Sequence, residues 1–450
     1  MSGTYRYLPD TEQDRQEMLE FLGLSSVDEL FTVIPEDLRL KGDLEIAEAE
    51  PESLLKKRMQ ELAARNVTAD DYPIFLGAGI YDHYIPSVVK HVISRSEFYT
   101  AYTPYQPEIS QGELQAMFEF QTMVCELTGM DVANSSMYDG PTSLAEAASL
   151  AIDAKRRPKV LISKAVHPEA REILQTVASG QNYTVEEISL NGDVTDLNEL
   201  KAKLDQDTAA VIVQYPNFFG SVEDLKAINE IAKEHGALFI VSANPLALAI
   251  LQAPGKLGAE LVVGDMQPLG IPMSFGGPTC GYFASDKKYI RKLPGRIVGE
   301  TVDEEGKRGY VLTLQAREQH IRREKATSNI CSNQALNALA SAVCMSALGK
   351  HGIRHMALLN VEKADYAARR LEEKGFTLYN KAPFFNEFAV KLPRPVKEVN
   401  EKLMQKGFIG GYDLGKEYGL ENHMLIAVTD QRTKEEIDAF VEALEVATNG

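Results

Sequence analysis

Short apolar runs alternate with longer amphipathic segments through the middle of the chain. The apolar runs predict strands at residues 160–163, 184–188, 210–214, 238–241 and 261–263, and the segments between them predict helices. Continuous apolar strands separated by helices are typical of an α/β domain whose mainly parallel sheet is covered on both faces. Ligands of such sheets bind at the carboxyl ends of the strands, so polar residues at those ends are candidates for function.

The two ends of the chain carry other patterns. Residues 1–65 predict a helical arm with apolar stripes, and residues 66–325 are assigned to the large α/β domain. A helix predicted over 315–350 then leads into alternating helices and strands, which indicate a small α+β domain. Residues 326–450 therefore form a linking helix and a C-terminal domain.

Charge and composition exclude several classes of partner. The net charge is -18, from 65 acidic and 47 basic residues, which argues against nucleic acid or an anionic membrane as the main partner. No apolar stretch approaches the ~20 residues of a membrane helix, and no basic and apolar leader is visible. The 4 cysteines show neither metal-ligand spacing nor a disulfide framework, so we expect no metal site and a cytoplasmic location.

A loop rich in glycine and proline, residues 264–278, follows one of the predicted strands. Such a loop is neither helix nor ladder, and its backbone lies open to whatever sits beside it. In pyridoxal-phosphate enzymes of the aminotransferase-like fold, a loop in this place carries the lysine that forms the Schiff base. No lysine stands between Lys256 and Lys287 in this chain, and Gln267 occupies the loop instead.

Other candidate residues stand at strand ends or at a helix start. His167 follows a strand and suits ring stacking or acid–base work, although a lone histidine there is also often structural. Thr142 and Ser143 open a helix whose free N–H groups suit a phosphate, although these residue types are also plain capping residues. Asn244 stands where an aspartate would hold a protonated pyridine nitrogen, and its amide is neutral.

A second candidate region lies in an aromatic, proline-containing run. Tyr102, Thr103, Tyr105 and Gln106 present phenols, a hydroxyl and an amide on non-helical backbone, which is how many sites are built. The same residues also suit a well-packed connector whose tyrosines only fill space. The residues alone do not decide between the two.

Four runs of residues resemble one family, the P-protein of the glycine cleavage system. They are YTAYTPYQ at 99–106, GGP at 276–278, LPGRIVG at 293–299 and REQHIRREKATSNIC at 317–331. The likeness extends from about residue 4 to the C-terminus. In long P-proteins one polypeptide holds two aminotransferase-like halves, and this chain is similar to the amino-terminal half alone, the alpha chain of the split form.

The resemblance implies the aminotransferase-like fold (PLP fold type I) and the decarboxylation of glycine, with transfer of the aminomethyl group to the lipoyl group of H-protein. In this family a His-Lys pair of the beta subunit holds pyridoxal 5'-phosphate, and alignment on Ile271 puts Met266 and Gln267 at that pair. The resemblance thus implies no catalytic residue and no bound cofactor in this chain. It implies an alpha2-beta2 heterotetramer with a beta subunit.

By analogy with aminotransferase-like dimers, whose subunits lend loops to each other's sites, Tyr102, Thr103, Tyr105 and Gln106 are expected to line the partner's active site. His167, Asn244, Gln267, Thr142 and Ser143 would then surround a vestigial pocket. Two alternatives stay open at this point. One is a self-sufficient PLP-dependent amino-acid decarboxylase or other fold type I enzyme, and the other is a non-catalytic scaffold subunit.

Overall fold

The fold is described from a computed structural model, which covers residues 7, 9–99, 101–326, 328–330 and 333–449. The chain divides into two compact units, Met1–Val67 and Thr68–Gly450. Among the helices of the described residues, none has both the length and the apolar character needed to cross a membrane.

The first unit contains two helices, α1 (Glu12–Leu22) and α2 (Glu52–Ala63), separated by short turns. Helix α1 begins at a capping box, in which the backbone N–H of Asp14 donates to Thr11 and the N–H of Thr11 donates to Asp14. The helix ends at Gly23, whose left-handed φ of 70° suits glycine. The two helices include the apolar residues of the two predicted stripes, while the arm's bounds stay a prediction.

The second unit contains the remaining elements. Its helices are α3 (Ser87–Ile93), α4 (Ser96–Tyr99), α5 (Gln111–Thr128), α6 (Gly140–Lys155), α7 (Pro168–Gln181), α8 (Leu197–Lys203), α9 (Leu225–Glu234), α10 (Gln319–Arg322), α11 (Ala335–Glu373), α12 (Val396–Gln405), α13 (Gly415–Tyr418) and α14 (Lys434–Asn449). Its strands are β1 (Val132–Ala133), β2 (Lys159–Ser163), β3 (Thr184–Ile188), β4 (Leu190–Asn191), β5 (Val194–Thr195), β6 (Thr208–Tyr215), β7 (Leu238–Ala243), β8 (Leu261–Asp265), β9 (Gly281–Ser285), β10 (Ile297–Val302), β11 (Arg308–Thr313), β12 (Thr377–Leu378), β13 (Glu387–Lys391), β14 (Tyr412–Asp413) and β15 (His423–Ala427).

A seven-stranded sheet of order β1-β9-β8-β7-β6-β2-β3 organises the large part of this unit. The strands from β8 to β3 pair in parallel, while β9 and β1 run antiparallel at one edge. Along β6, Val211 and Val213 enter the core on one face, and Ala210 and Ile212 enter the core on the other. Burial on both faces explains why these strands are continuously apolar.

A four-stranded antiparallel sheet of order β12-β13-β15-β14 forms the small part, with α12, α14 and the end of α11 packed against it. Helix α11 contributes Ala338 and Ala342 to the core of the large sheet and Ala364 and Ala367 to the core of the small one. Because one helix serves both cores, the division of this unit near residue 325 stays a prediction.

The single helix predicted over 315–350 is wrong. The structure has short turns and the four-residue α10 before residue 326, and α11 begins only at Ala335. Leu314 and Arg323 both have positive φ, which a continuous right-handed helix does not allow. Helix α11 then runs past residue 350 to Glu373, with one kink at Gly349, where φ is 61° and ψ is 179°.

One extended stretch, the crossing segment (residues 75–84), runs between the two sheets. At the small sheet, the N–H of Ala427 donates to the carbonyl oxygen of Phe75 at 2.9 Å. At its other end, His83 Nδ1 lies 2.6 Å from Oδ1 of Asp430, which follows β15 of the small sheet, and both side chains are buried. The segment has almost no regular structure, so its position depends on these individual bonds.

Candidate functional site

A cavity of about 420 Å³ opens at the carboxyl ends of the parallel strands. His167 follows β2, Gln214 is the next-to-last residue of β6, Asn244 follows β7 and Asp265 ends β8, and all four line the cavity. The crossing segment and the start of α6 complete the wall. The cavity therefore lies at the sheet edge where the strand pattern places ligand-binding residues.

Gln267 lies behind this wall and is 1% exposed. Its amide nitrogen donates to the carbonyl oxygens of Tyr81 (2.8 Å) and Ile271 (3.1 Å). Its amide oxygen accepts from the N–H of Tyr81 at 2.9 Å. Both ends of the amide are thus bonded to backbone, and the side chain joins the loop 264–278 to the crossing segment.

The start of α6 is saturated by the protein's own oxygen atoms. The N–H of Gly140 donates to Asp265 at 2.9 Å, that of Thr142 to the Asp139 side chain at 2.7 Å, and that of Ser143 to the Asp139 carbonyl at 3.1 Å. Pro141 has no N–H. Ser143 is buried, with its hydroxyl bonded to the same carbonyl, and neither Ser143 nor Thr142 lines the cavity.

Asp265 is the central carboxylate of the site. Burial raises its pKa above the ordinary value, and four donors offset part of that rise. Two of them, the Gly140 N–H and the Thr279 hydroxyl, bond one oxygen at 2.9 and 2.6 Å. Because four donors of the chain already bond its two oxygens, this carboxylate holds the site together and has little capacity left to accept a hydrogen bond from a ligand.

His167 and Asn244 face the cavity but are occupied locally. His167 caps α7 through Nδ1, which accepts from the Glu169 N–H, so Nε2 carries the proton and donates to the Ala78 carbonyl at 2.9 Å. Burial lowers the pKa of His167, which keeps the ring neutral. Asn244 accepts from the Leu246 N–H at 3.0 Å. Both side chains therefore bond to backbone groups of their own surroundings.

Tyr102, Thr103, Tyr105 and Gln106 are not among the residues that line this cavity. Tyr102 is 86% exposed and Tyr105 is 50% exposed. The Tyr105 hydroxyl accepts a long bond of 3.4 Å from Arg296, and the edge of the His320 ring approaches at 6.0 Å between centroids. This run therefore belongs to a separate surface.

Sequence reasoning missed three residues of the cavity region: Tyr81, Asp265 and Glu387. The buried carboxylate of Glu387 accepts from the Tyr81 hydroxyl and from the Ala78 N–H, each at 2.7 Å. The sequence could have identified Asp265, because it is the last residue of a strand that ends at the ligand-binding edge of the sheet. No sequence pattern identifies Tyr81, because it contacts Gln267 through its backbone atoms and the two residues are far apart in the sequence.

The three thiols that the structure describes supply no reactive group here. Cys280 and Cys344 are buried and Cys125 is partly buried, and all three are free. Burial raises the pKa of Cys125 to about 11 and that of Cys344 to about 12, so both stay protonated near neutral pH. The fourth, Cys331, lies outside the described residues.

The parallel sheet, the small antiparallel sheet and the position of the cavity define the aminotransferase-like fold of PLP enzymes, fold type I. Among solved structures, a cysteine desulfurase from Thermococcus onnurineus shares this fold at a TM-score of 0.62 and 18% identity, covering 85% of this chain and 97% of that one. The fold class predicted from the sequence is confirmed.

The chain belongs to the glycine cleavage system P-protein family, whose model matches residues 5–444. It is 63% identical over 441 residues to a Bacillus cereus protein called probable glycine dehydrogenase (decarboxylating) subunit 1, with 98% of this chain and 99% of the relative covered. A crystal structure of glycine decarboxylase (P-protein) of the glycine cleavage system in inhibitor-bound form superposes at a TM-score of 0.90, with 44% identity and 98% and 100% coverage. The predicted family is confirmed.

The cofactor of this fold class, pyridoxal phosphate, does not fit the residues present. Among the described residues that line the cavity there is no lysine, and Asn244 replaces the acid that would hold the pyridine nitrogen. The helix start that would receive a phosphate is occupied by the side chains of Asp139 and Asp265, which already accept its N–H groups.

Proposed function

We propose that this chain is the alpha subunit of a two-subunit glycine decarboxylase (P-protein), and that pyridoxal phosphate is bound by the beta subunit. With that partner it decarboxylates glycine and passes the aminomethyl group to the lipoyl group of H-protein, in the cytoplasm. The observation that carries the proposal is Gln267, a fully bonded amide where the cofactor lysine of the fold would stand.

The names of the relatives support the two-subunit arrangement. A chain that resembles a protein called subunit 1 over 98% of its own length implies a second subunit. We propose an alpha2-beta2 heterotetramer, since this fold generally forms dimers and each half of the P-protein corresponds to one fold unit. No observation favours the self-sufficient decarboxylase or the scaffold.

We also propose that Tyr102, Thr103, Tyr105 and Gln106 line the partner's active site. The run lies away from this chain's own cavity, and Tyr102 and Tyr105 are at least half exposed. Exposed aromatic side chains are enriched where one protein buries another.

Cofactor labelling tests the location of pyridoxal phosphate. The chain is co-expressed with its candidate beta subunit, reduced with borohydride, digested and analysed by mass spectrometry. We expect a pyridoxyl group on a lysine of the partner and none on this chain, with glycine–bicarbonate exchange only when both chains are present. A pyridoxyl-lysine in a peptide of this chain would contradict the proposal.

Tyrosine substitutions test the role of the aromatic run. Tyr102→Phe and Tyr105→Phe each remove one hydroxyl, and we expect each to lower kcat/KM of the complex by about tenfold, as loss of one active-site hydrogen bond does. Tyr84→Phe is the matched control, because Tyr84 is also 50% exposed but lies in the crossing segment. Equal activity of all three variants would favour a scaffold role for the run.

A further inference from the structure

Arg296 is a buried arginine whose positive charge is almost unpaired. It is 4% exposed, and within the described part of the chain its Nε has no hydrogen-bond partner and its guanidinium makes one long bond, to the Tyr105 hydroxyl at 3.4 Å. Among the described residues no carboxylate forms an ion pair with it. A guanidinium carries five N–H donors and stays charged, so burying it without an anion is unfavourable.

The backbone around Arg296 is held firmly. Its carbonyl oxygen accepts from the N–H of Ser135 at 2.8 Å, and the side chain of Asn134 donates to Pro294 at 3.1 Å. Nη2 of Arg317 donates to the carbonyl one residue before Arg296 at 2.5 Å. The backbone at Arg296 is therefore anchored, and its side chain starts from a fixed position in a buried environment.

Tyr105 forms the outer side of this site. The guanidinium carbon lies 5.6 Å from the centre of the Tyr105 ring, and Tyr105 is 50% exposed. Its hydroxyl accepts from Arg296 and has a proton left to donate. An anion that reached the two groups would receive hydrogen bonds from both, and charge-assisted bonds of this kind are the strong ones.

Glu113 is an acidic residue of this chain that interacts electrostatically with Arg296. Its burial raises the pKa of Glu113 to about 7, and the charge of Arg296 offsets part of the rise. Near neutral pH this carboxyl is only partly ionised, and it makes no ion pair with Arg296 among the described residues. Within the described residues Arg296 therefore has no carboxylate in direct contact with its guanidinium.

We infer that Arg296 and the Tyr105 hydroxyl bind an anionic oxygen group, a carboxylate or a phosphate, that comes from outside this chain. The inference rests on the proposed function only for the source of the anion: the carboxylate of glycine or the phosphate of the partner's cofactor. Arg296 lies outside the cavity described above, so it is a second site.

The first test uses the full chain alone. Inorganic phosphate and acetate are titrated at matched ionic strength against chloride, and thermal unfolding is followed. We expect phosphate or acetate to raise the Tm of the wild type and to leave the Tm of the Arg296→Gln variant unchanged. Arg308→Gln is the matched control, because Arg308 is an exposed arginine 5.7 Å over the ring of Tyr310 and should keep the wild-type response.

The second test uses the complex with the beta subunit and separates the two sources. If the anion is the glycine carboxylate, Arg296→Gln raises KM for glycine by about tenfold to a hundredfold and leaves cofactor retention unchanged. If it is the cofactor phosphate, the same variant loses pyridoxal phosphate on dialysis. Arg296→Lys keeps the charge without the fork of donors and should rescue only part of either loss.

The inference is overturned if neither anion stabilises the wild type more than Arg296→Gln and that variant also leaves KM and cofactor retention unchanged. If the complex is active and Arg296→Gln has none of these effects, the anion site is refuted and the proposed function stands. Arg296-dependent stabilisation by phosphate or acetate in a chain that forms no complex would remove the proposed function and keep the site.

Discussion

Gln267 is a buried, neutral amide at the position that the proposed function assigns to a lost cofactor lysine. Its three hydrogen bonds give that side chain a structural task, since they tie the loop after β8 to the backbone of Tyr81. A buried amide with both ends bonded is hard to replace, because any substitute leaves at least one buried backbone group without a partner.

Gln267→Lys is expected to destabilise the chain and to bring no activity without the partner. An ammonium group only donates, so the N–H of Tyr81 loses its acceptor and a charge enters a buried position. We expect a loss of about 2–4 kcal/mol in the free energy of unfolding, measured by urea denaturation. Gln13→Lys, on the exposed face of α1, is the control and should change it by less than about 0.5 kcal/mol. An unchanged midpoint for Gln267→Lys would show that the amide bonds contribute nothing.

Glu387 predicts a dependence of stability on pH. Burial raises the pKa of this carboxyl to about 7, above its ordinary value in the unfolded chain. Between the two values the folded chain binds the proton more tightly than the unfolded chain, so stability falls as pH rises from about 5 to about 7. The effect is of the order of 3 kcal/mol for a shift of this size.

Glu387→Gln removes this titration, so the fall in unfolding free energy between those pH values should be smaller in the variant than in the wild type. Denaturation at several pH values measures both slopes. Glu435→Gln, on the first turn of α14, is an exposed control that should keep the wild-type slope. Parallel slopes for Glu387→Gln and the wild type would place the titration elsewhere.

At the scale of elements, the parallel strands follow directly from the sequence because each is apolar on both faces. The strand predicted at 184–188 has the observed bounds of β3. The strands predicted at 210–214 and 261–263 are each a few residues shorter than the observed β6 and β8. The segment before α11 was mispredicted because its charged residues suit a helix. Its actual path depends on Arg317, which bonds the carbonyls of Leu293 and Gly295.

In the site too, local features can be predicted from the sequence and long-range contacts cannot. The missing lysine and the polar strand ends can be read from the sequence, since each depends on residue type and local position. The bonds from Gln267 to Tyr81 and from Glu387 to Ala78 cannot, because they join segments 186 and 309 residues apart with no pattern in common. Only the fold brings these residues together.

The kink of α11 supports a prediction at this scale. Gly349 has φ 61° and ψ 179°, a region open essentially to glycine alone, and no atom lies within 4 Å of the place a Cβ would take. Gly349→Ala should therefore lower the free energy of unfolding by about 1–3 kcal/mol through backbone strain and not through a clash. Urea denaturation measures the loss.

Gly180→Ala is the matched control. Gly180 lies within helix α7, also has no atom within 4 Å of a Cβ, and has no positive φ. The change should raise stability by about 0.4–1 kcal/mol because alanine loses less entropy on folding. Equal effects of the two substitutions would contradict the assignment of strain to the kink.

At the scale of the whole molecule, the first unit exposes many large apolar side chains. Phe21, Val33 and Ile46 are 89%, 88% and 75% exposed. Exposed apolar surface of this kind commonly marks contacts with other chains when it is contiguous. The proposed beta subunit is the partner we expect to cover part of it.

The purified chain alone is expected to self-associate as its concentration rises, and co-expression with the beta subunit should suppress this. Replacing Phe21, Val33 and Ile46 by glutamate should reduce self-association in sedimentation velocity. Glutamate at Gln13, Gln16 and Gln60, exposed polar positions of α1 and α2, adds the same charge and should leave it unchanged. A monomer at every concentration would argue against an obligate partner.

The crossing segment has a mechanical consequence. It is bonded to the large sheet's loop through Gln267 and to the small part of the unit through Glu387 and Asp430. Swinging one part away from the other would break several buried hydrogen bonds at once, each worth about 1 kcal/mol. We therefore expect the large and small parts of this unit to move together as one rigid body.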